Sequence, residues 1–229
     1  MNCPATFFDF IDHAPVDDPL LGITIGDVVG KGVPAALHMA SIRGALRAHA
    51  LHLIEPAHVV FETNQAMVHD TRQHEFSTLW YCSINLKSWL MTYCNAGHEP
   101  PIVCRPNDEH DAPDSHMKPE HFTFSELSEG GMVLGVEADH EYGHGTFQCR
   151  AGDTLIAFSD GLTEAPNFDG EQFGRSRITR AVLDVLQVNP TAPAVDILNH
   201  VLWEARRFVG FNEQSDDITL VVIRFMNRH

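Results

Sequence analysis

Hydrophobic positions along the 229-residue chain change period several times, and each change predicts an element. Leu20–Gly26 is a short, mostly apolar run that halts at Asp27 and a glycine-rich turn, as a buried strand would. Beyond it, Met39, Ile42, Leu46 and Ala50 recur at helical spacing behind Pro34, a residue suited to a first helical turn. A helix burying one face is therefore predicted over Val33–Ala50. A second is predicted from Pro56 to His69. The period then shortens: Ser77–Leu86 and Trp89–Asn95 are β-rich runs separated only by Lys87 and Ser88, the length of a hairpin turn. From Arg105 to Glu120 the chain is rich in Pro, Asp, His and Asn, which predicts a surface loop and the chain's best candidate for disorder.

Further strands are predicted near Gly145–Arg150 and over Thr154–Phe158, the latter running into Ser159-Asp160-Gly161. Two helical stripes follow, Ile178, Val182 and Val185 on one and Ile197, Val201, Ala205 and Phe208 on the other. The closing run Ile218–Phe225 is almost wholly apolar and reads as a central strand. Strands and helices thus come in blocks without βαβ alternation, which predicts an α+β fold of mainly antiparallel sheets covered by helices. One domain over residues 1–229 is expected, with no internal repeat.

Charge narrows the partners. With 31 Asp and Glu against 15 Lys and Arg, the net charge of -16 repels nucleic-acid backbones and anionic membrane surfaces. No stretch reaches the ~18 apolar residues that a bilayer span needs, so a cytoplasmic protein is expected. The five Cys (Cys3, Cys82, Cys94, Cys104, Cys149) are scattered and odd in number, without a C-x-x-C pair; buried, inert thiols in a reducing compartment are expected. Among the 15 His no H-E-x-x-H pattern occurs, and His98 is expected to serve a turn.

Three acids share a context that surface carboxylates lack. Asp27 and Asp160 each follow an apolar strand, and Asp216 precedes the last one. Carboxylates gathered at the ends of buried strands repel one another unless a cation neutralises them. Hard oxygen ligands of this kind suit Mg²⁺ or Mn²⁺. Gly30 and Gly161 permit tight turns and close backbone approach beside them, and Lys31 stands ahead of a helix N-terminus, where anions are favoured. The same stretch is not a P-loop, since only three residues separate Gly26 from Gly30 and Gly32 follows Lys31. Gly30-x-Gly32-x-x-Ala35 meets the loose dinucleotide fingerprint, with Glu55 at a sequence spacing tolerable for a ribose contact, but a hairpin follows where a βαβ unit is required.

The motifs around these acids resemble a known family. Gly26-Asp27-Val28-Val29-Gly30-Lys31-Gly32-Val33-Pro34-Ala35-Ala36-Leu37 is similar to the GDVxGKGVPAAL signature of SpoIIE-like (RsbU-like) phosphatases, the bacterial branch of the PPM, or protein phosphatase 2C-like, family. Asn95-Ala96-Gly97-His98-Glu99-Pro100-Pro101, Leu134-Gly135-Val136, Phe158-Ser159-Asp160-Gly161-Leu162-Thr163-Glu164-Ala165 and Asp216-Asp217-Ile218-Thr219 resemble its other blocks, in order. The resemblance implies a four-layer αββα sandwich. It also implies a serine/threonine phosphoprotein phosphatase of bacterial signalling, dependent on one or two Mn²⁺ or Mg²⁺ ions. Asp27 would bridge two metals, with the Val28 carbonyl as a further ligand, and Asp160 and Asp216 would complete one metal's shell. Lys31, Gly30 and Gly161 are candidate phosphate contacts.

The family's opening GDxxD block is matched by Ala5-Thr6-Phe7-Phe8-Asp9, which puts Thr6 where the second metal's Asp stands and leaves Asp9 as a compensating ligand. The chain begins almost at this block, so a missing first strand and an upstream sensory or receiver region are expected. The implied substrate is a phosphorylated STAS-domain antagonist of an anti-sigma factor, and the helices after Gly32 would regulate the site and could support a homodimer. The contrasting expectation, raised by Thr6, is a degenerate module that keeps the fold and binds a signalling partner without turnover.

Overall fold

Ten strands and five helices follow from these patterns in a computed structural model that describes residues 6–13, 19–70, 76–107, 117–212, 214 and 216–226. In chain order the strands are β1 (Thr6–His13), β2 (Leu20–Val28), β3 (Ser77–Asn85), β4 (Leu90–Ala96), β5 (Ile102–Pro106), β6 (Phe122–Glu126), β7 (Gly130–Gly131), β8 (Gly145–Gln148), β9 (Thr154–Phe158) and β10 (Leu220–Arg224). The helices are α1 (Val33–Ala50), α2 (Pro56–Asp70), the single turn α3 (Asp160–Thr163), α4 (Gly174–Val188) and α5 (Ala194–Val209). They form two compact units, Met1–Pro100 with Leu127–Cys149, and Pro101–Glu126 with Arg150–His229. Each unit carries its own sheet and helix pair, so the α+β class predicted from the block order is what the chain adopts.

In the first unit the sheet runs β1-β2-β3-β4-β7, with β8 also on β4, and all pairs but β4 with β7 are antiparallel. Phe7, Ile11, Val28, Leu79, Tyr81 and Cys94 line one face and pack with Ile42, Leu46 and Ala50 of α1 and Val59, Val60 and Met67 of α2. The predicted stripe of α1 is the buried one, Met39 being half-buried at its edge. Each fully buried Leu or Ile contributes about 1.5–3 kcal/mol, so this stripe, more than helix propensity, holds α1 on the sheet.

The β3–β4 connection is longer than predicted, taking in Leu86 to Trp89. A two-residue turn at Lys87-Ser88 would demand positive φ from residues that resist it. Instead Asn85 Oδ1 accepts the N–H groups of Lys87 (2.9 Å) and Ser88 (3.0 Å), and Trp89 alone takes a left-handed φ of 58°. The asparagine side chain thus builds the turn that the loop sequence could not.

The second unit has the sheet β10-β9-β5-β6, all antiparallel. Its core joins Ile156 and Phe158 of β9 to Ile178, Ala181, Val182 and Leu186 of α4 and Ile197, Val201 and Ala205 of α5, with Val185 and Phe208 partly buried beside them. Two expectations change here. β10 is an edge strand that pairs with β9 alone among the described strands, because an apolar run reports burial of faces and not the number of neighbours. The stretch read as a loop from Arg105 begins inside β5 and ends against β6, whose register places Pro106 opposite Phe122; residues 108–116 lie outside the described residues. Arg105 makes a forked contact to the fully buried Asp153, through Nε at 2.8 Å and Nη2 at 2.6 Å. Such pairing is what a buried carboxylate requires.

Candidate active site

Asp27 is the penultimate residue of β2, directly opposite Thr6 on β1 and Thr78 on β3. Opposed residues of neighbouring strands share a face, so the three form one polar row on the side opposite Phe7, Val28 and Leu79. Thr6 therefore occupies the position across from Asp27 where the family pattern has a carboxylate. Asp27 is half-buried, and its Oδ1 accepts the Val28 N–H at 2.9 Å. The row extends to His98: Thr78 Oγ1 lies 2.8 Å from His98 Nδ1. His98 is buried and also closes the turn expected of it, donating its N–H to Asn95 Oδ1 (2.8 Å) while its carbonyl accepts from Asn95 Nδ2 (3.0 Å).

Asp9 has a different occupation from the compensating ligand expected. By strand alternation it shares the face of Phe7 and Ile11, opposite to that of Thr6 and Asp27. There its Oδ2 accepts from Arg47 Nη1 at 2.7 Å and Arg43 Nε at 3.1 Å, both from α1, and Oδ1 accepts the Phe10 N–H at 3.0 Å. Burial pushes the carboxyl's pKa up, but the Arg47 and Arg43 hydrogen bonds and charges outweigh it and hold the group below the usual carboxylate value. Asp9 is a strand-to-helix tie.

After β2, Val29 N–H reaches the Phe76 carbonyl at 3.2 Å, and the chain turns into α1 through Gly30 (φ 112°) and Gly32 (φ 81°), conformations that a Cβ would resist. Exposed Lys31 stands between them, and among the described residues no side chain caps the helix N-terminus.

In the second unit β9 ends at Phe158, and Asp160 opens α3, its carbonyl accepting from Glu164 N–H (2.8 Å) and Thr163 Oγ1 (3.1 Å). The fully buried Ser159 clamps this turn to the segment before β10. Its N–H donates to the Thr219 carbonyl (3.0 Å), its hydroxyl donates to the Asp217 carbonyl (3.1 Å), and its Oγ accepts the Thr219 N–H (2.9 Å). Gly161 makes the approach possible: a Cβ there would be driven into the Asp217 carbonyl oxygen and stand 3.0 Å from its carbon. Asp160 and Asp216 therefore sit on adjoining backbone segments, with Asp216 Oδ1 accepting the Asp217 N–H (2.9 Å) and Gln214 Nε2 donating to the Asp216 carbonyl (2.7 Å).

Two of the three predicted acids are brought together in this way, and the third, Asp27, belongs to the other unit. Among the described residues no group of three or more His, Cys, Asp or Glu side chains stands close enough to hold a metal ion. The hard carboxylate oxygens of Asp160 and Asp216 suit a divalent ion in kind, whereas Asp9, held by two guanidinium groups, does not. The sequence reading missed Ser159, whose only signal was a small polar residue between an apolar strand and Asp-Gly. It also missed Asn64, a polar residue on the apolar stripe of α2. Buried Asn64 accepts the Gly135 N–H (2.9 Å) and donates to the Glu137 carbonyl (2.7 Å), which fixes the Leu134-Gly135-Val136 block.

Known proteins resemble the chain over almost its whole length. The phosphoserine phosphatase RsbU of Bacillus subtilis is 28% identical over 213 residues, 93% of this chain, and the chain spans 58% of that relative's length. The SiaA-PP2C domain of Pseudomonas aeruginosa superposes with a TM-score of 0.72 at 21% identity, covering 98% of this chain and 84% of that one. The PP2C phosphatase domain of the cell fate determinant SpoIIE from Bacillus subtilis gives a TM-score of 0.72 at 17% identity, covering 96% of this chain and 58% of that one. The fold is that of these phosphatase domains. No helix among the described residues is long and apolar enough to cross a membrane. The family model described as Stage II sporulation protein E (SpoIIE) matches residues 17–226, nearly the whole chain, and the protein therefore belongs to the SpoIIE family.

Proposed function

We propose that the chain is a metal-dependent serine/threonine phosphoprotein phosphatase of a bacterial signalling pathway. The observation that supports this reading is the lock of Ser159 and Gly161 on the 216–219 segment, which joins the backbone segments that carry Asp160 and Asp216, in a chain whose relative RsbU is named a phosphoserine phosphatase. Asp160 and Asp216 would hold Mn²⁺ or Mg²⁺, and Asp27, with the Val28 carbonyl, is assigned as a further ligand on the family resemblance. When bound, the cations would lower the pKa of an attacking water and neutralise phosphoryl oxygens, so no protein nucleophile is required. The protein's own part is to orient: Gln214 holds the Asp216 carbonyl, Ser159 holds the backbone of Asp217 and Thr219, and the Asp160 turn is closed by Glu164 and Thr163, while Lys31, Gly30 and Gly161 are assigned phosphate contacts on the family resemblance. The proposed substrate is a phosphorylated STAS-domain antagonist of an anti-sigma factor, in the cytoplasm.

Thr6 supports a second reading, a fold-retaining module that binds such a partner without turnover. A hydroxyl opposite Asp27 is a poor replacement for a carboxylate on a second metal. Hydrolysis of p-nitrophenyl phosphate with Mn²⁺ separates the two. The phosphatase reading expects wild-type activity that Asp160→Asn abolishes and Thr6→Asp raises. An inactive wild type, with turnover appearing only in Thr6→Asp, would establish the binding module instead.

A further inference from the structure

Beside the Asp160–Asp216 lock the second unit contains a cavity of about 350 Å³, the lower end of the range for ligand pockets. Its walls are largely apolar, built from Pro166, Leu202, Ala205, Val209 and Ile218. It shares structure with the candidate site. Gly161, which admits the Asp217 backbone, lines it, and so does Gln214, whose side chain holds the Asp216 carbonyl. Two loops meet at its mouth, tied where Asn212 Nδ2 donates to the Pro166 carbonyl at 3.3 Å. Each loop displays an exposed aromatic ring, Phe168 beyond Pro166 and Phe211 before Asn212. Both rings stand close in sequence to residues that line the cavity, Pro166 and Asn212, and so add apolar surface to the two loops that bound it. Among the described residues Arg206 is the only charged one lining the cavity.

We propose that this cavity is the specificity subsite for an apolar side chain flanking the phosphorylated residue of the protein substrate, with Phe168 and Phe211 against the neighbouring peptide backbone. The proposal rests on the phosphatase reading for what lies next door, and it names the substrate class more narrowly. The occupant follows from the lining: alkyl walls leave an inserted polar group unpaired, and the Arg206 guanidinium disfavours a cation. An apolar pocket of this kind discriminates by roughly ten- to a hundredfold.

The test uses the full chain with Mn²⁺ and phosphoserine peptides in which each flanking position is set in turn to leucine or lysine, with p-nitrophenyl phosphate as a substrate too small to reach the cavity. At one position the leucine peptide should exceed the lysine peptide about tenfold in kcat/KM, chiefly through KM. Leu202→Trp, which fills the cavity, should bring that ratio close to one. Arg206→Glu, a surface change that leaves the core intact, should narrow it by admitting lysine. Turnover of p-nitrophenyl phosphate and of all peptides alike would overturn the subsite and leave the phosphatase standing. If no substrate is turned over, the phosphatase reading fails, and fluorescence anisotropy with the same labelled peptides decides: a leucine preference lost in Leu202→Trp sustains the subsite, and equal binding refutes it.

Discussion

Replacing Gly161 with alanine should destabilise the protein, although helix propensity alone argues the reverse. Gly161 lies within α3, where alanine is favoured over glycine by about 1 kcal/mol. Against that, the new methyl would collide with the Asp217 carbonyl, and restoring an ordinary C···O separation of about 3.3 Å requires the backbones to part by about 1 Å. Overpacking of this kind costs about 1–3 kcal/mol. The same movement stretches the three Ser159 hydrogen bonds, at 3.0, 3.1 and 2.9 Å, each contributing about 1 kcal/mol. With partial loss of the three, the net is about 2–3 kcal/mol, or a fall in Tm of about 4–12 °C for a chain of this size. Gly44→Ala is the matched control: it lies inside α1, its added methyl would meet nothing within 4 Å, and it should stabilise by about 1 kcal/mol. Differential scanning calorimetry reads both. A Gly161→Ala protein melting at or above the wild-type temperature would show that the 160 and 216 segments are not locked as described.

Other consequences can be read the same way. Asn64→Ala leaves the Gly135 N–H and Glu137 carbonyl without their partner and should cost about 2–4 kcal/mol in urea unfolding, with faster amide exchange over residues 134–138; unchanged exchange there would contradict the latch. Asp153→Ala strips a fully buried carboxylate from Arg105 and should cost about 3–5 kcal/mol, whereas a loss under 1 kcal/mol would mean that the fork contributes little. Asp9→Asn removes the tie to Arg43 and Arg47, whose half-exposed guanidinium groups limit the effect to about 1 kcal/mol at neutral pH. Because the folded Asp9 pKa is depressed, its contribution is complete above the usual carboxylate value of 3.8 and is lost as pH falls through the lower folded value. Wild-type and variant melting curves should therefore converge in acid; a gap that persists there would place the effect elsewhere.

Elements whose burial is periodic along the chain were legible without coordinates. The stripe Met39, Ile42, Leu46, Ala50 defines α1 because a helix meets its sheet along one line, and the run Thr154–Phe158 defines β9 because both its faces are buried. The ordered motifs likewise exposed Asp27, Asp160 and Asp216 as candidates, since a strand end followed by glycine is a local arrangement. What only tertiary structure decided were the partners of groups far apart in sequence. Nothing near Asp9 announces that Arg43 and Arg47 hold it, and nothing near Gly161 announces that the Asp217 backbone passes over it. The edge position of β10 belongs to the same class, as does the pairing of Pro106 with Phe122 across a stretch read as loop. Hydrophobic pattern records whether a residue leaves water, a property of its own surface, whereas pairing and close backbone approach are properties of two segments at once, and one segment's composition cannot carry them.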